Sequence, residues 1–248
     1  MSLFAPHRRN EVRARLGAWA VDDPRVLGAA VVGSEARGAV DRWSDIDLTF
    51  AVDDVAARDA VLAAWTERME AELQAVALFD VERGATVYRV FLLPDALQVD
   101  VSFSPREGFG AKGPDFRLLF GEASAPAPAP GAATATWVGE AVHHALRARV
   151  AIERDRPWQA AFWIQGVQQL AISLACAKRG LPAHHGRGVD DLPADVHSAL
   201  ARADVGGRDR AELLRALRSA CEVLRAEAGD AEALLERVAA PLAAILSP

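Results

Sequence analysis

Residues Gly28–Val52 read GAAVVGSEARGAVDRWSDIDLTFAV, and this stretch decides the fold. The apolar run Ala29–Val32 predicts a buried strand that stops at Gly33-Ser34, where the chain can bend sharply and backbone amides can face outward. A second strand, Asp45–Val52, alternates carboxylate and apolar residues. Side chains in a strand change faces at every step, so Asp45 and Asp47 project from one side, roughly 6 to 7 Å apart along the chain. Ile46, Leu48 and Phe50 take the other side, toward a core.

Outward from this centre, Pro6–Ala20 carries helical spacing through Val12, Leu16 and Trp19, and Val55–Gln74 repeats apolar residues every three or four positions. Three further strands follow: Val76–Glu82, Thr86–Leu93 after the Arg83-Gly84 turn, and Leu97–Phe103 after Pro94-Asp95. The last alternates strictly, with Leu97, Val99, Val101 and Phe103 facing one way and Asp100 the other. Strand and helix signals thus mix over residues 1–122.

Residues 123–136, ASAPAPAPGAATAT, show no apolar periodicity, and their Pro-Ala repeat favours extended backbone, which reads as a linker. Beyond it, residues 137–154, 158–179, 209–228 and 230–246 all carry helical spacing, with Leu181–Gly207 between the second and third as a long loop. The class is α+β: an N-terminal mixed-sheet domain, a linker, and a helical bundle over 137–248. Trp158, Phe162, Trp163 and Ile164 are expected in the bundle core.

The 248 residues, 51% of them hydrophobic, suffice for a substantial core. A net charge of −6 argues against sequence-independent nucleic-acid binding, which needs clustered cations. Two cysteines, Cys176 and Cys221, sit inside apolar helical patterns and form no disulfide framework, so a reducing cytoplasm is expected. No apolar run is expected to approach the roughly 18 to 20 residues needed to span a membrane. The sequence is silent on oligomeric state.

Magnesium takes hard oxygen ligands at about 2.0 to 2.1 Å, and a strand Asp-x-Asp supplies two of them rigidly. Asp45 and Asp47 are the expected ligands. If the Asp100 strand pairs beside theirs, Asp100 joins the same surface as a third ligand, or as a base accepting the proton of an incoming hydroxyl. Gly33 and Ser34, with a short helix through Arg37, are placed to meet a phosphate. Arg37, Arg42, Lys112 and Arg117 are further candidate phosphate cations, and Arg187 in the long loop a candidate contact to nucleotide or acceptor. Asp41, Asp53, Asp54 and Asp95 read as turn or capping residues. His143-His144 and His184-His185 read as structural, because adjacent helical positions diverge and no acid or cysteine spacing completes a metal site.

A Gly-Ser turn, ten residues, Asp-x-Asp and a later strand aspartate together resemble the DNA polymerase beta-like nucleotidyltransferase superfamily over residues 30–103. The order of small α/β domain before helical domain is similar to its antibiotic-modifying members. The resemblance implies that Gly33 and Ser34 hold the β/γ phosphates of ATP, that Asp45 and Asp47 bind Mg2+, and that Asp100 is a metal ligand or general base. It implies AMP transfer to a hydroxyl of a small molecule, an aminoglycoside or lincosamide-like antibiotic among them. The segment GSEARG is also similar to the GSxARG of minimal nucleotidyltransferases that adenylylate a protein partner, and a non-catalytic nucleotide-binding relative is the remaining alternative.

Overall fold

The computed structural model describes residues 6–113, 115–125 and 134–247. The chain divides into two compact units, Met1–Ala129 and Pro130–Pro248. In the first, α1 (Pro6–Asp22) leads to β1 (Gly28–Val32), the short α2 (Gly33–Ala36), β2 (Ile46–Val52), α3 (Val55–Leu73), β3 (Val76–Arg83), β4 (Thr86–Leu92), β5 (Gln98–Pro105) and β6 (Phe116–Phe120). The six strands form one sheet in the order β3-β4-β5-β2-β1-β6, in which β2 and β5 run parallel and the other pairs antiparallel.

Period-two alternation accounts for the sheet's two faces. Ile46, Leu48 and Phe50 of β2 join Val99, Val101 and Phe103 of β5 in a core that also takes Leu16 of α1 and Trp65 of α3. The rings of Phe50 and Phe103 stack with centroids 5.1 Å apart, and Trp65 meets both at 4.8 and 5.3 Å. Asp54 caps α3 by accepting the Ala57 amide at 2.8 Å, and Gln74 ends that helix in the left-handed region, φ 54°. Asp53, the other expected cap, pairs with Arg106 at 3.3 Å instead. Asp95 lies in the turn before β5, as its position suggests, but is buried and reaches Arg8 of α1 at 3.6 Å.

The sixth strand is a correction. The stretch containing Lys112 and Arg117 is not simply an irregular Gly-rich segment, because β6 pairs antiparallel with β1 and sets Arg117 opposite Val31. Of the expected linker, residues 126–133 lie outside the described residues; Ser124 is tied to the first unit by its amide and hydroxyl, both donated to the Phe109 carbonyl at 2.7 Å, and Thr134 already opens a helix.

The second unit holds α4 (Thr134–Glu153), α5 (Pro157–Lys178), α6 (Ala194–Ala203), α7 (Arg210–Glu227), α8 (Glu232–Arg237) and α9 (Ala239–Leu246). Small residues dominate its core: Ala141, Ala145 and Ala148 of α4 and Ala160 and Ala171 of α5 are fully buried. Three expectations are corrected. The long loop contains α6, whose Val196, Leu200 and Ala203 recur at helical spacing and are buried. The segment 230–246 is broken at Val238, since an unbroken helix would place the Pro241 ring against the carbonyl of Arg237; restarting at Ala239 puts Pro241 in a first turn, where no amide is needed. Trp158 and Phe162 are not core residues but are 74% and 65% exposed. The expectation that no apolar run approaches a membrane span is corrected as well: α5 is long and apolar enough by length and composition, though Ile164, Val167, Ala171 and Leu174 on one side of it are buried in this unit's core.

Candidate functional site

The bend after β1 is built around Gly33, which adopts φ +64°. A Cβ there would collide with the Asp47 carboxylate, its Cγ only 3.2 Å away, so glycine lets the turn lie directly against the acid. Glu35 in α2 then anchors the turn from two sides, through Arg13 of α1 and through Arg117 of β6 at 3.3 Å. Arg37, expected at a phosphate, meets Asp115 at 2.8 Å, and the Arg42 guanidinium lies 4.4 Å from the centre of the Trp43 ring.

Between the turn and β2, Asp41 and Ser44 close a tight loop. The Trp43 amide and the Ser44 hydroxyl both donate to Asp41 Oδ1 at 2.9 Å, and the Asp41 amide donates to Ser44 Oγ at 3.0 Å. These donors, the Ser44 hydroxyl foremost, hold the Asp41 carboxyl below the usual carboxylate range. This loop delivers Asp45 to the start of β2.

Parallel pairing does the rest. Asp47 of β2 stands directly opposite Asp100 of β5, and one carboxylate oxygen from each of Asp45, Asp47 and Asp100 lies within 4.8 Å of the others, all three side chains half-buried. Among the described residues this is the only group of three or more His, Cys, Asp and Glu that could hold a metal ion. Gln98, on the same face of β5, donates to Asp100 Oδ1 at 2.9 Å and steadies its orientation. Like charges at this spacing repel by about 3 kcal/mol per pair at an effective dielectric near 20, a cost that a bound divalent cation relieves. Three hard oxygen donors converging on one point suit Mg2+ in number and chemistry. The donor set fits.

The histidines do not assemble a second centre. His144 packs on Trp163 with ring centroids 5.0 Å apart, and His184 meets Trp137 edge-on at 5.7 Å. Arg187 lies in the turn closed by its own amide and the His184 carbonyl. Sequence reasoning passed over Glu35 and Gln98. Gln98 was legible, because it shares the polar side of the alternating strand with Asp100; Glu35 was not, since its partners Arg13 and Arg117 come from distant segments.

No protein-family model and no curated protein matches the chain. Solved structures similar to it include the crystal structure of an aminoglycoside 6-adenyltransferase from Bacillus subtilis, 13% identical, with a TM-score of 0.39 over 93% of this chain and 95% of that one.

Proposed function

We propose that the chain is a Mg2+-dependent nucleotidyltransferase that passes a nucleotidyl group, AMP from ATP by the resemblance of its motifs, to a hydroxyl of a small-molecule acceptor. The observation that carries this reading is the meeting of Asp45, Asp47 and Asp100 within 4.8 Å on one sheet face, with the Gly33 turn against Asp47.

Asp45 and Asp47 would hold the metal, with Asp100 as a further ligand or as the group that takes the acceptor's proton. When bound, Mg2+ supplies positive charge against the phosphates and the charge that develops during transfer. Gly33 and Ser34 offer an amide and a hydroxyl toward the triphosphate tail. In the reaction the acceptor oxygen bonds to the α-phosphorus as the bond to the bridging oxygen breaks. Pyrophosphate leaves with the electron pair, and the hydroxyl proton passes to Asp100 where that residue is the base, or to solvent where it is a metal ligand. Holding both reactants against a fixed sheet is itself a large share of such catalysis. An antibiotic acceptor is among the classes the motif resemblance implies. A cytoplasmic setting agrees with two cysteines that are both free and buried.

The test is pyrophosphate release from ATP and Mg2+ across an acceptor panel. Release that requires Mg2+ and falls by at least about a hundredfold in Asp47→Asn supports the reading, that factor being worth about 3 kcal/mol; equal release from wild type and variant removes the carboxylate mechanism. Label from ATP appearing on a protein in cell extract, with no modified small molecule, would turn the reading to protein adenylylation.

A further inference from the structure

Beside the triad the open face of the sheet carries a cleft of about 200 Å³, enough to seat part of a small molecule. It belongs wholly to the first unit. Thr49 of β2 and Ser102 and Ser104 of β5 line it, with Tyr88 of β4 and Phe116 of β6 as aromatic walls and exposed Lys112 at the rim. Thr49 is two residues beyond Asp47 and Ser102 two beyond Asp100, so the cleft continues the acidic face one step along the same strands, roughly 7 Å.

We infer that this cleft seats the acceptor, and that it takes a ring-bearing, hydroxylated molecule of neutral or negative charge rather than a polycation. The inference rests on the nucleotidyl-transfer reading above. The sheet order β5-β2-β1 sets Gly33 and Asp100 on opposite sides of Asp47. In an in-line displacement the incoming hydroxyl approaches opposite to the leaving pyrophosphate. With the triphosphate tail on the Gly33 side, the acceptor comes from the β5 side, over Ser102 and Tyr88.

The lining decides the class. Thr49 and Ser102 carry hydroxyls that donate and accept, while Ser104 Oγ is already engaged with Thr86 Oγ1 at 2.9 Å. Tyr88 offers aromatic surface for a ring to pack against on this β5 side, while Phe116, paired opposite Val32, closes the cleft on the Gly33 side. Of the two charged lining residues, Asp115 is held by Arg37 at 2.8 Å, whereas Lys112 makes no ion pair with a described residue. A polyamine entering here would lose hydration and meet the Lys112 ammonium, with the one carboxylate of the lining already paired to Arg37.

Tyr88 is the chain's only tyrosine, so full-length protein grown on 3-fluorotyrosine gives a single 19F resonance from the cleft wall. With Mg2+ and α,β-methylene ATP present, the resonance should move on titration with 4-nitrophenyl β-D-glucoside or the matching glucuronide, and with at least tenfold lower affinity on titration with spermidine or kanamycin. Thr49→Ile should weaken the glucoside at least tenfold. Exposed Lys112→Glu, which keeps the cleft's shape, should weaken the glucuronide selectively. The inference is overturned if no ring probe moves the resonance, if the polycations bind as well as the glucoside, or if the nucleotide analogue alone produces the shift, which would seat the nucleoside there. Failure of the analogue to bind in the presence of Mg2+, measured calorimetrically on the same sample, would instead overturn nucleotidyl transfer.

Discussion

Gly33 and Asp47 occupy space that no larger pair could share: a methyl group on Gly33 would lie in the Asp47 carboxylate. Gly38, with a similar φ of +69°, has nothing within 4 Å of the position its Cβ would take. The two glycines separate backbone strain from site geometry. Forcing an L-residue into this region costs about 1–2 kcal/mol at either position. Gly33→Ala should therefore lose that stability and, in addition, at least about a hundredfold in pyrophosphate release, because a displacement near 1 Å at a reacting group costs that much. Gly38→Ala should lose stability alone. Thermal melts and rates measured side by side would contradict this if the two variants were equally inactive.

The triad's mutual repulsion gives a second expectation, opposite in sign to that for most polar substitutions in a protein interior. Asp47→Asn removes one charge from a group of three within 4.8 Å. Without divalent cations the variant should melt no lower than wild type, and higher by a few degrees if each relieved pair is worth about 1 kcal/mol after solvent screening. Millimolar Mg2+ should raise the wild-type melting temperature by mass action and leave the variant's almost unmoved. A variant that melts lower without metal, or keeps the full Mg2+ shift, would mean that the carboxylates are not a shared cation site.

How much of this was readable in the sequence depends on whether a feature is local. The Asp-x-Asp strand and the LQVDVSF alternation are local patterns, and both strands lie within one or two residues of their expected bounds. That β5 rather than β4 lies beside β2 is long-range information, and the polar faces suggest it without dictating it. β6 escaped because FRLLF has no alternation and becomes a strand only through pairing with β1. Helix α6 had its apolar spacing on view, yet the surrounding Gly, His and Asp residues pointed to a loop. Trp158 and Phe162 were misplaced for a different reason: α5 is apolar around most of its circumference, and composition does not tell which side its neighbours cover.

The cysteines offer a simple check on the helical unit. Burial pushes the Cys221 thiol up to about 12 and the Cys176 thiol upward as well, and both side chains are fully buried. Thiolate is the reactive form, so a disulfide reagent near neutral pH should titrate neither thiol in the native protein and both after denaturation. Rapid modification of either one in the folded chain would contradict the packing of α5 or α7.

Acid stability should be governed in part by Asp23, at the end of α1. The Arg25 guanidinium donates to both of its carboxylate oxygens at 2.8 Å, the Arg25 amide donates at 3.1 Å, and Trp65 Nε1 adds a further bond at 3.1 Å. Hydrogen bonding from the Arg25 side chain, the largest influence, lowers this carboxyl from 3.8 to about 2, against the opposing effect of partial burial. The charged form is thus favoured by folding. Its stabilisation is fully present above the unfolded value near 4 and disappears as pH falls through about 2. With a side chain 13% exposed and an arginine partner 44% exposed, solvent screening reduces the nominal gain to about 1–2 kcal/mol. Asp23→Asn should be less stable than wild type by that amount at pH 7. The two denaturation midpoints should then converge between pH 4 and pH 2, because protonation imposes on wild type the loss already made in the variant. A gap that stays constant to pH 2 would show that Asp23 acts through shape and neutral hydrogen bonding, with its charge contributing nothing to the seat of Trp65.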